Sequence, residues 1–288
     1  MTLQDWKNSG VHFLYKKKHK IFYKVDGEGE PLLLIHGFPT SSWDWCKMWE
    51  SLIEKYEVYT LDMMGFGFSA KPTNFEYTIS AQVDLWEVFF KEKNLTSFHI
   101  LAHDYGDTVV QEMLARFKEN PTYEFDIKSV CFLNGGMFPE TNFPTFTQKL
   151  LLTPLGSILK HFMGRNTLAK NFKKIFGRET QPSELEIDEF WEVVDYNSGK
   201  NIIHKLIRYL TERDIYKIRW REAIQYTKVP KRLIDGGVDP ISGKHMAEFY
   251  QEIVHDADVV MLEKIGHYPQ VEAPDEVLSH YYSFREQL

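Results

Sequence analysis

Three residues, Asp104, Asp239 and His267, have the side-chain types and the chain order of a nucleophile, an orienting acid and a base. An aspartate has a reference pKa of about 3.9, so it is ionised at neutral pH and can attack without a base. Its carboxylate can bond to an electrophilic carbon and displace a leaving group, which leaves an alkyl ester. A histidine held by an acid can then activate water to hydrolyse that ester. The three residues therefore predict two-step hydrolysis.

The residues around Asp104 predict a sharp turn between a strand and a helix. The sequence there is Ala-His-Asp-Tyr-Gly at 102–106, with an apolar run before it and a helical pattern after it. Small residues two positions away on each side allow the strand and helix to approach closely. The free N–H groups at the start of the helix can stabilise an anion. The order nucleophile, acid, histidine is that of α/β-hydrolases with a G-x-S-x-G turn, with aspartate here in place of serine.

Each of these residues also has a structural explanation when it is taken alone. Asp104 could cap the following helix, Asp239 could serve a turn, and His267 could be a packed or surface side chain. Their joint order and their positions after strand-like runs favour the catalytic interpretation. Asp107 is interpreted as a first-turn helix acid and not as a second catalytic group.

The tetrapeptide His-Gly-Phe-Pro at 36–39 is predicted to supply part of an oxyanion hole. It follows an apolar run, and its proline favours an extended conformation at Phe38. The backbone N–H groups of Phe38 and of Tyr105 are the two predicted donors to the oxyanion that forms when water attacks the ester.

Short apolar runs alternate with helical patterns along much of the chain. Such runs are typical of strands buried on both faces, and they occupy residues 31–37, 56–62, 97–104, 127–136, 231–237 and 257–267. The alternation predicts an α/β protein with a mostly parallel twisted sheet, helices on both faces and right-handed crossovers. The segment at 12–27 is interpreted as a hairpin added at one edge. Ligands bind beyond the carboxyl ends of strands in such sheets, where the three candidate residues lie.

The alternation stops between about residues 139 and 227, where the sequence is helical in character. We interpret residues 139–227 as a helical insertion, and residues 1–138 with 228–288 as the core domain.

Composition excludes several other classes of protein. Hydrophobic residues make up 43% and charged residues 26% of the 288, which is ordinary for a globular protein. The net charge of −7 argues against a nucleic-acid binder, and no run of about 18 apolar residues predicts a membrane span. The two cysteines, Cys46 and Cys131, are far apart and indicate a reduced compartment, which we expect to be the cytoplasm. No metal motif is visible, and no cofactor is expected.

Several motifs together resemble the epoxide hydrolase and haloalkane dehalogenase branch of the α/β-hydrolase fold: HGFPTSSWDW, LDMMGFGFSAKP, HDYGD, GGVDP and IGHYPQVEAP. The resemblance implies an α/β-hydrolase fold in which the insertion is a cap over the active site. It also implies a small apolar organic substrate, with water as the second reactant. Epoxide hydrolases of this branch use cap tyrosines to protonate the opening oxygen, and the cap candidates here are Tyr196, Tyr209, Tyr216 and Tyr226.

The resemblance ranks epoxide opening above dehalogenation. Haloalkane dehalogenases typically hold the halide with a tryptophan after the nucleophile and often with an asparagine in the His-Gly motif. Tyr105 and Phe38 occupy those positions here. The first expectation is therefore an epoxide hydrolase, and the alternatives are a haloalkane dehalogenase, an esterase-type hydrolase and a binding or regulatory member with little turnover. The sequence leaves the choice of tyrosine, the natural substrate and the oligomeric state open.

Overall fold

The described residues form an α/β fold around an eight-stranded sheet with the strand order β1-β2-β4-β3-β5-β6-β7-β8. A computed structural model describes residues 1–141, 143–153, 156 and 163–288 of the chain. The strands are β1 (Val11–Tyr15), β2 (His19–Asp26), β3 (Glu30–Ile35), β4 (Tyr56–Leu61), β5 (Ser97–His103), β6 (Asp126–Leu133), β7 (Lys231–Gly236) and β8 (Asp258–Leu262).

The strands from β3 to β8 are parallel, whereas the N-terminal hairpin is antiparallel. β1 pairs with β2 and β2 pairs with β4 in antiparallel registers, and the pairs β3–β4, β3–β5, β5–β6, β6–β7 and β7–β8 are parallel. The predicted mostly parallel sheet with a hairpin at one edge is therefore confirmed. The carboxyl ends of β5, β7 and β8 lie along one edge of the sheet, which brings together loops that are far apart in sequence.

The sheet separates two hydrophobic cores because successive side chains of a strand point to opposite faces. In β3, Leu33 and Ile35 pack into one core, while Leu32 and Leu34 pack into the other. All four are fully buried. This burial on both faces explains why the parallel strands appear in the sequence as continuous apolar runs and not as alternating patterns.

Helices cover both faces of the sheet. The helices of the described residues, including those between β6 and β7, are α1 (Leu3–Ser9), α2 (Trp49–Ile53), α3 (Ile79–Glu92), α4 (Tyr105–Glu119), α5 (Phe146–Leu151), α6 (Arg165–Ile175), α7 (Glu184–Asp195), α8 (Ile203–Leu206), α9 (Tyr209–Tyr226), α10 (Lys244–Ile253), α11 (Pro269–Glu272) and α12 (Pro274–Arg285). Short 3₁₀ turns occur at Ser42–Trp45, Pro139–Thr141 and Tyr196–Asn201.

The chain between β6 and β7 contributes helices and turns wherever it is described. Its longest helix, α9, packs along α4 through side chains near its middle. Arg219 forms a two-pronged ion pair with Glu119 at 2.8 and 2.9 Å and also contacts Glu112. The indole Nε1 of Trp220 donates to Glu112 Oε2 at 2.8 Å. These contacts fix α9 against α4, the helix that follows Asp104, and we keep residues 139–227 as a proposed cap domain.

Candidate active site

Asp104 lies at the turn between β5 and α4 in a backbone conformation that few residues other than glycine adopt. Its φ and ψ angles are 48° and −103°, a strained combination that costs on the order of 1–3 kcal/mol. A Cβ atom on Gly106 would lie 2.4 Å from the carbonyl oxygen of Ile35, and one on Gly37 would lie 2.6 Å from Nδ1 of the buried His103 ring. The turn therefore requires glycine at both positions. Asp104 makes no side-chain capping bond to α4, so a capping role does not explain it.

The Asp104 carboxylate is buried, and its two oxygens face different groups. Oδ2 accepts a hydrogen bond from the backbone N–H of Phe38 at 3.1 Å. Oδ1 lies 4.0 Å from Nε2 of His267 and 3.8 Å from Nη2 of Arg213. Tyr105 is the first residue of α4, where backbone N–H groups lack partners within the helix. The structure thus brings Phe38, Tyr105 and His267 together around Asp104.

Asp239 holds His267 through a short hydrogen bond. Nδ1 of His267 lies 2.8 Å from Oδ2 of Asp239, so the Nδ1–H donates and Nε2 is turned toward Asp104. Donors at 2.8–3.1 Å from the Asp239 oxygens are Ser242 Oγ, Asn134 Nδ2 and the N–H groups of Ile241 and Ser242. These donors satisfy a buried carboxylate that would otherwise be costly. Asp239 thus accepts hydrogen bonds within its turn, as the structural explanation expects, and also holds His267.

The charges at the site determine the protonation of His267. Burial disfavours the imidazolium form, but the nearby Asp239 carboxylate outweighs burial, and together with Asp104 it raises the pKa of His267 to about 9. Burial also opposes ionisation of Asp239, yet His267 and the donors to Asp239 lower the pKa of that carboxyl group. His267 and Asp239 therefore form an ion pair at neutral pH.

Asp107 lies in the first turn of α4, and its side chain is fully buried. Burial, reinforced by the negative charge of Asp104, raises the pKa of Asp107 well above its usual range. Burial has the same effect on the pKa of Asp44 and of Asp235. The predicted first-turn position of Asp107 is confirmed, and burial there disfavours the ionised form of its carboxyl group.

The four candidate tyrosines occupy different surroundings. Tyr209 is fully buried, and its ring packs against those of Phe38 and Tyr105 at centroid distances of 5.9 and 4.8 Å. Tyr196 packs on Phe68 beneath two lysines. Tyr216 is 44% exposed and Tyr226 is 66% exposed. Only Tyr209 among the four lies against the residues that flank Asp104.

Arg213 is a site residue that sequence reasoning missed. It is 1% exposed, and its Nε donates to Thr108 Oγ1 at 2.8 Å while Nη2 donates to the carbonyl oxygen of Asp104 at 3.3 Å. Its guanidinium carbon lies 4.6 Å from the centroid of the Tyr209 ring. The two residues are four positions apart on α9, a spacing that places them on one helix face. That spacing could have indicated that Arg213 lies beside Tyr209. An arginine in a polar helix is, however, ordinarily expected at the surface.

A small apolar cavity reaches His267 from the side of the insertion. Its volume is about 60 Å³, and it is lined mostly by apolar side chains from the helices between β6 and β7 and from the loops that carry Phe38 and Ile241. Phe172, Trp191 and Leu151 are among them. A cavity of this kind suits an apolar group that must reach a polar reacting centre.

Among the described residues, no group of three or more histidine, cysteine, aspartate or glutamate side chains could hold a metal ion. In the same part of the chain, no helix is both long enough and apolar enough to cross a membrane.

His103 provides a test of the protonation pattern through the pH dependence of stability. Its Nε2 lies 2.7 Å from the carbonyl oxygen of His267. Burial, with a smaller contribution from His267, lowers the pKa of His103 from 6.5 to about 3. A depressed folded-state pKa stabilises the protein above pH 6.5, and this stability is lost as the pH falls toward 3. When the pH is lowered from 7.5 to 5, the free energy of unfolding of His103→Gln should therefore fall by about 2 kcal/mol less than that of the wild type. Urea unfolding at the two pH values measures this difference. Equal losses would show that His103 does not stay neutral.

Comparisons with known proteins bear on the fold and the family. A family model described as the alpha/beta hydrolase fold matches residues 30–274. The chain is 39% identical over 294 residues to the mesoderm-specific transcript homolog protein of Bos taurus, covering 98% of this chain and 88% of that protein.

Two solved hydrolase structures share the fold. A loop variant of the haloalkane dehalogenase DbeA from Bradyrhizobium elkanii superposes with a TM-score of 0.79 at 18% identity, covering 96% of each chain. The epoxide hydrolase CorEH superposes with a TM-score of 0.79 at 16% identity, covering 96% of this chain and 97% of that one. The resemblance drawn from the sequence motifs is thus confirmed at the level of the fold. The chain belongs to the α/β-hydrolase fold family.

Proposed function

We propose that this protein hydrolyses epoxides to diols through an alkyl ester on Asp104. One observation carries the proposal: a buried aspartate stands at the strained β5–α4 turn, 3.1 Å from the Phe38 N–H and 4.0 Å from Nε2 of a histidine paired with Asp239. An aspartate at this turn can attack a carbon atom directly, whereas serine first needs deprotonation.

The first step forms the ester and opens the ring. Oδ1 of Asp104 attacks an epoxide carbon, and the ring C–O bond breaks with its electron pair moving to the oxygen. Oδ2 keeps its hydrogen bond to the Phe38 N–H. Tyr209, the buried tyrosine beside Phe38, is the proposed donor of the proton that converts the alkoxide to a hydroxyl.

The second step depends on a change in the charge near His267. The charge of Asp104 contributes to the raised pKa of His267, and esterification removes that charge. His267 then releases its proton, which returns through water to the Tyr209 phenolate. The neutral imidazole takes one proton from a water molecule as that water attacks the Asp104 carbonyl carbon. The 4.0 Å gap between Nε2 and Oδ1 is too long for a hydrogen bond and leaves this edge open to water.

The oxyanion that forms on Oδ2 is stabilised by the N–H of Phe38 and by the N–H of Tyr105 at the start of α4. The tetrahedral intermediate collapses with release of the diol, which takes up the remaining proton of the attacking water. Asp104 is then a carboxylate again, and His267 and Tyr209 carry their original protons.

Oxygen labelling in a single turnover tests the ester. With enzyme in excess over styrene oxide in H₂¹⁸O, we expect the ¹⁸O in the peptide that contains Asp104 and unlabelled oxygen in the diol, because water attacks the carbonyl carbon and not the substrate. A sample without substrate controls for exchange. Label in the diol alone would contradict an ester intermediate.

Product identity separates this proposal from the alternatives. Diol formation from epoxides supports it, whereas bromide release from 1-bromohexane without turnover of any epoxide would replace it by dehalogenation. Hydrolysis of simple esters alone would point to an esterase, and binding without turnover of any of these compounds would favour a binding role.

A further inference from the structure

Arg213 is a buried cation that the proposed reaction does not yet use. Its Nη2 lies 3.8 Å from Oδ1 of Asp104, and its guanidinium stacks over the ring of Tyr209 at 4.6 Å. Asp239 and His267 already compensate each other, so Arg213 is the cation that balances Asp104. A desolvated arginine is expensive unless it is paired, and its charge therefore calls for an explanation at this site.

The geometry does not make Arg213 a clamp on the nucleophile. The distance of 3.8 Å to Oδ1 exceeds a hydrogen bond. The guanidinium instead donates to Thr108 Oγ1 and to the backbone carbonyl of Asp104. These two bonds hold it close to both the attacking oxygen and the ring of Tyr209 without consuming the lone pairs of Oδ1.

We propose that Arg213 couples the attack of Asp104 to the release of the proton from Tyr209. The inference rests on the proposed function. Before the attack, the guanidinium is paired with the Asp104 carboxylate. When Oδ1 bonds to carbon and the ring C–O bond breaks, Asp104 loses its charge and Arg213 is left without a counterion. The Tyr209 proton then moves to the substrate oxygen, and the phenolate that remains becomes the new partner of the guanidinium.

The electrostatics of Tyr209 agree with this order of events. Burial and the charge of Asp104 both raise the pKa of Tyr209, while Arg213 lowers it. Esterification removes the contribution of Asp104 and leaves that of Arg213. Tyr209 therefore holds its proton in the resting enzyme and becomes a stronger acid as the leaving oxygen develops its charge.

The test measures ester formation in a His267→Gln background, where the reaction stops after the first step. Rapid quenching and intact-mass spectrometry give the rate at which styrene oxide and 1-bromohexane add to the protein. Bromide leaves without needing a proton. The rate with 1-bromohexane therefore measures binding and nucleophilic attack but not proton donation. We expect Arg213→Gln to slow the addition of styrene oxide by on the order of 10²-fold and that of 1-bromohexane much less.

Tyr209→Phe should likewise slow the addition of styrene oxide much more than that of 1-bromohexane. The double variant Arg213→Gln/Tyr209→Phe should be scarcely slower than either single variant, because the two residues act as one unit. If the double variant instead loses as much rate as the two single variants combined, the coupling of Arg213 to Tyr209 would be overturned.

The outcomes separate the two proposals. If the His267→Gln protein forms no adduct with styrene oxide, the proposed function fails. If the adduct forms but Arg213→Gln reacts as fast, or slows both substrates equally, only the role of Arg213 is overturned. If Arg213→Gln does not fold, Thr108→Val removes the bond to Nε and should give a smaller slowing that is still selective for the epoxide. Equal slowing in that variant would overturn the proposal as well.

Discussion

Replacing Asp104 with alanine is expected to abolish turnover, with kcat/KM falling by on the order of 10⁴-fold or more. The reason is that the attacking atom itself is removed. The nearby acids Asp107 and Asp235 are poor substitutes for it, because burial raises their pKa values and disfavours the ionised form that could attack. The measurement is diol formation from styrene oxide, with circular dichroism to confirm the fold.

Asp107→Asn is the matched control for this variant. The side chain lies three residues from Asp104, is equally buried, and asparagine has nearly the same shape as a protonated aspartate. We expect this variant to retain most of the activity. Substantial activity in Asp104→Ala would exclude Asp104 as the nucleophile, whatever the control shows.

Replacing His267 with glutamine is expected to separate the two steps. The first step does not require His267 as a base, so Asp104 should still be alkylated. Hydrolysis of the ester should slow by on the order of 10³-fold, because no base activates the water. Intact-mass spectrometry should show one adduct with the mass of styrene oxide, located by peptide mapping at Asp104, and a single turnover followed by arrest.

His245→Gln is the control for the histidine substitution, since His245 lies on α10 and contacts the carbonyl oxygen of Ile241. It should turn over normally and accumulate no adduct. An active wild type whose His267→Gln variant never retains an adduct would count against a covalent intermediate.

The fold and the residues around Asp104 were predictable because local sequence determines them. Runs such as Leu32–Ile35 are apolar throughout because they are buried on both faces. The order of Asp104, Asp239 and His267 predicts their convergence because parallel strands end at one edge of the sheet. The glycine at 106 reports a close approach to Ile35 that any side chain would prevent.

The end of the last strand could not be predicted from the local sequence. Residues 257–267 suggest one long apolar run, yet β8 stops at Leu262. The chain then turns, and the backbone N–H of His267 donates to the carbonyl oxygen of Ile175 at 2.8 Å. That partner lies on the insertion, so only tertiary packing determines where the loop that carries the histidine begins.

The roles of Tyr209 and Arg213 were not predictable for a similar reason. Four tyrosines between β6 and β7 fit the sequence equally well, and burial distinguishes them only after α9 has packed on α4. An arginine in a polar helix gives no sign that its head group will be enclosed. The burial of Asp107 was not predictable either, because a first-turn position does not determine which way the side chain faces.

The ion pairs between α9 and α4 have a consequence for the path of a reactant. Because Arg219 and Trp220 tie α9 to α4, the helix that follows Asp104, these two helices should move as one block. A reactant is then expected to approach through the cavity that reaches His267, where Leu151, Phe172 and Trp191 form part of the wall. Substitutions at these three residues should change which molecules are admitted without touching Asp104 itself.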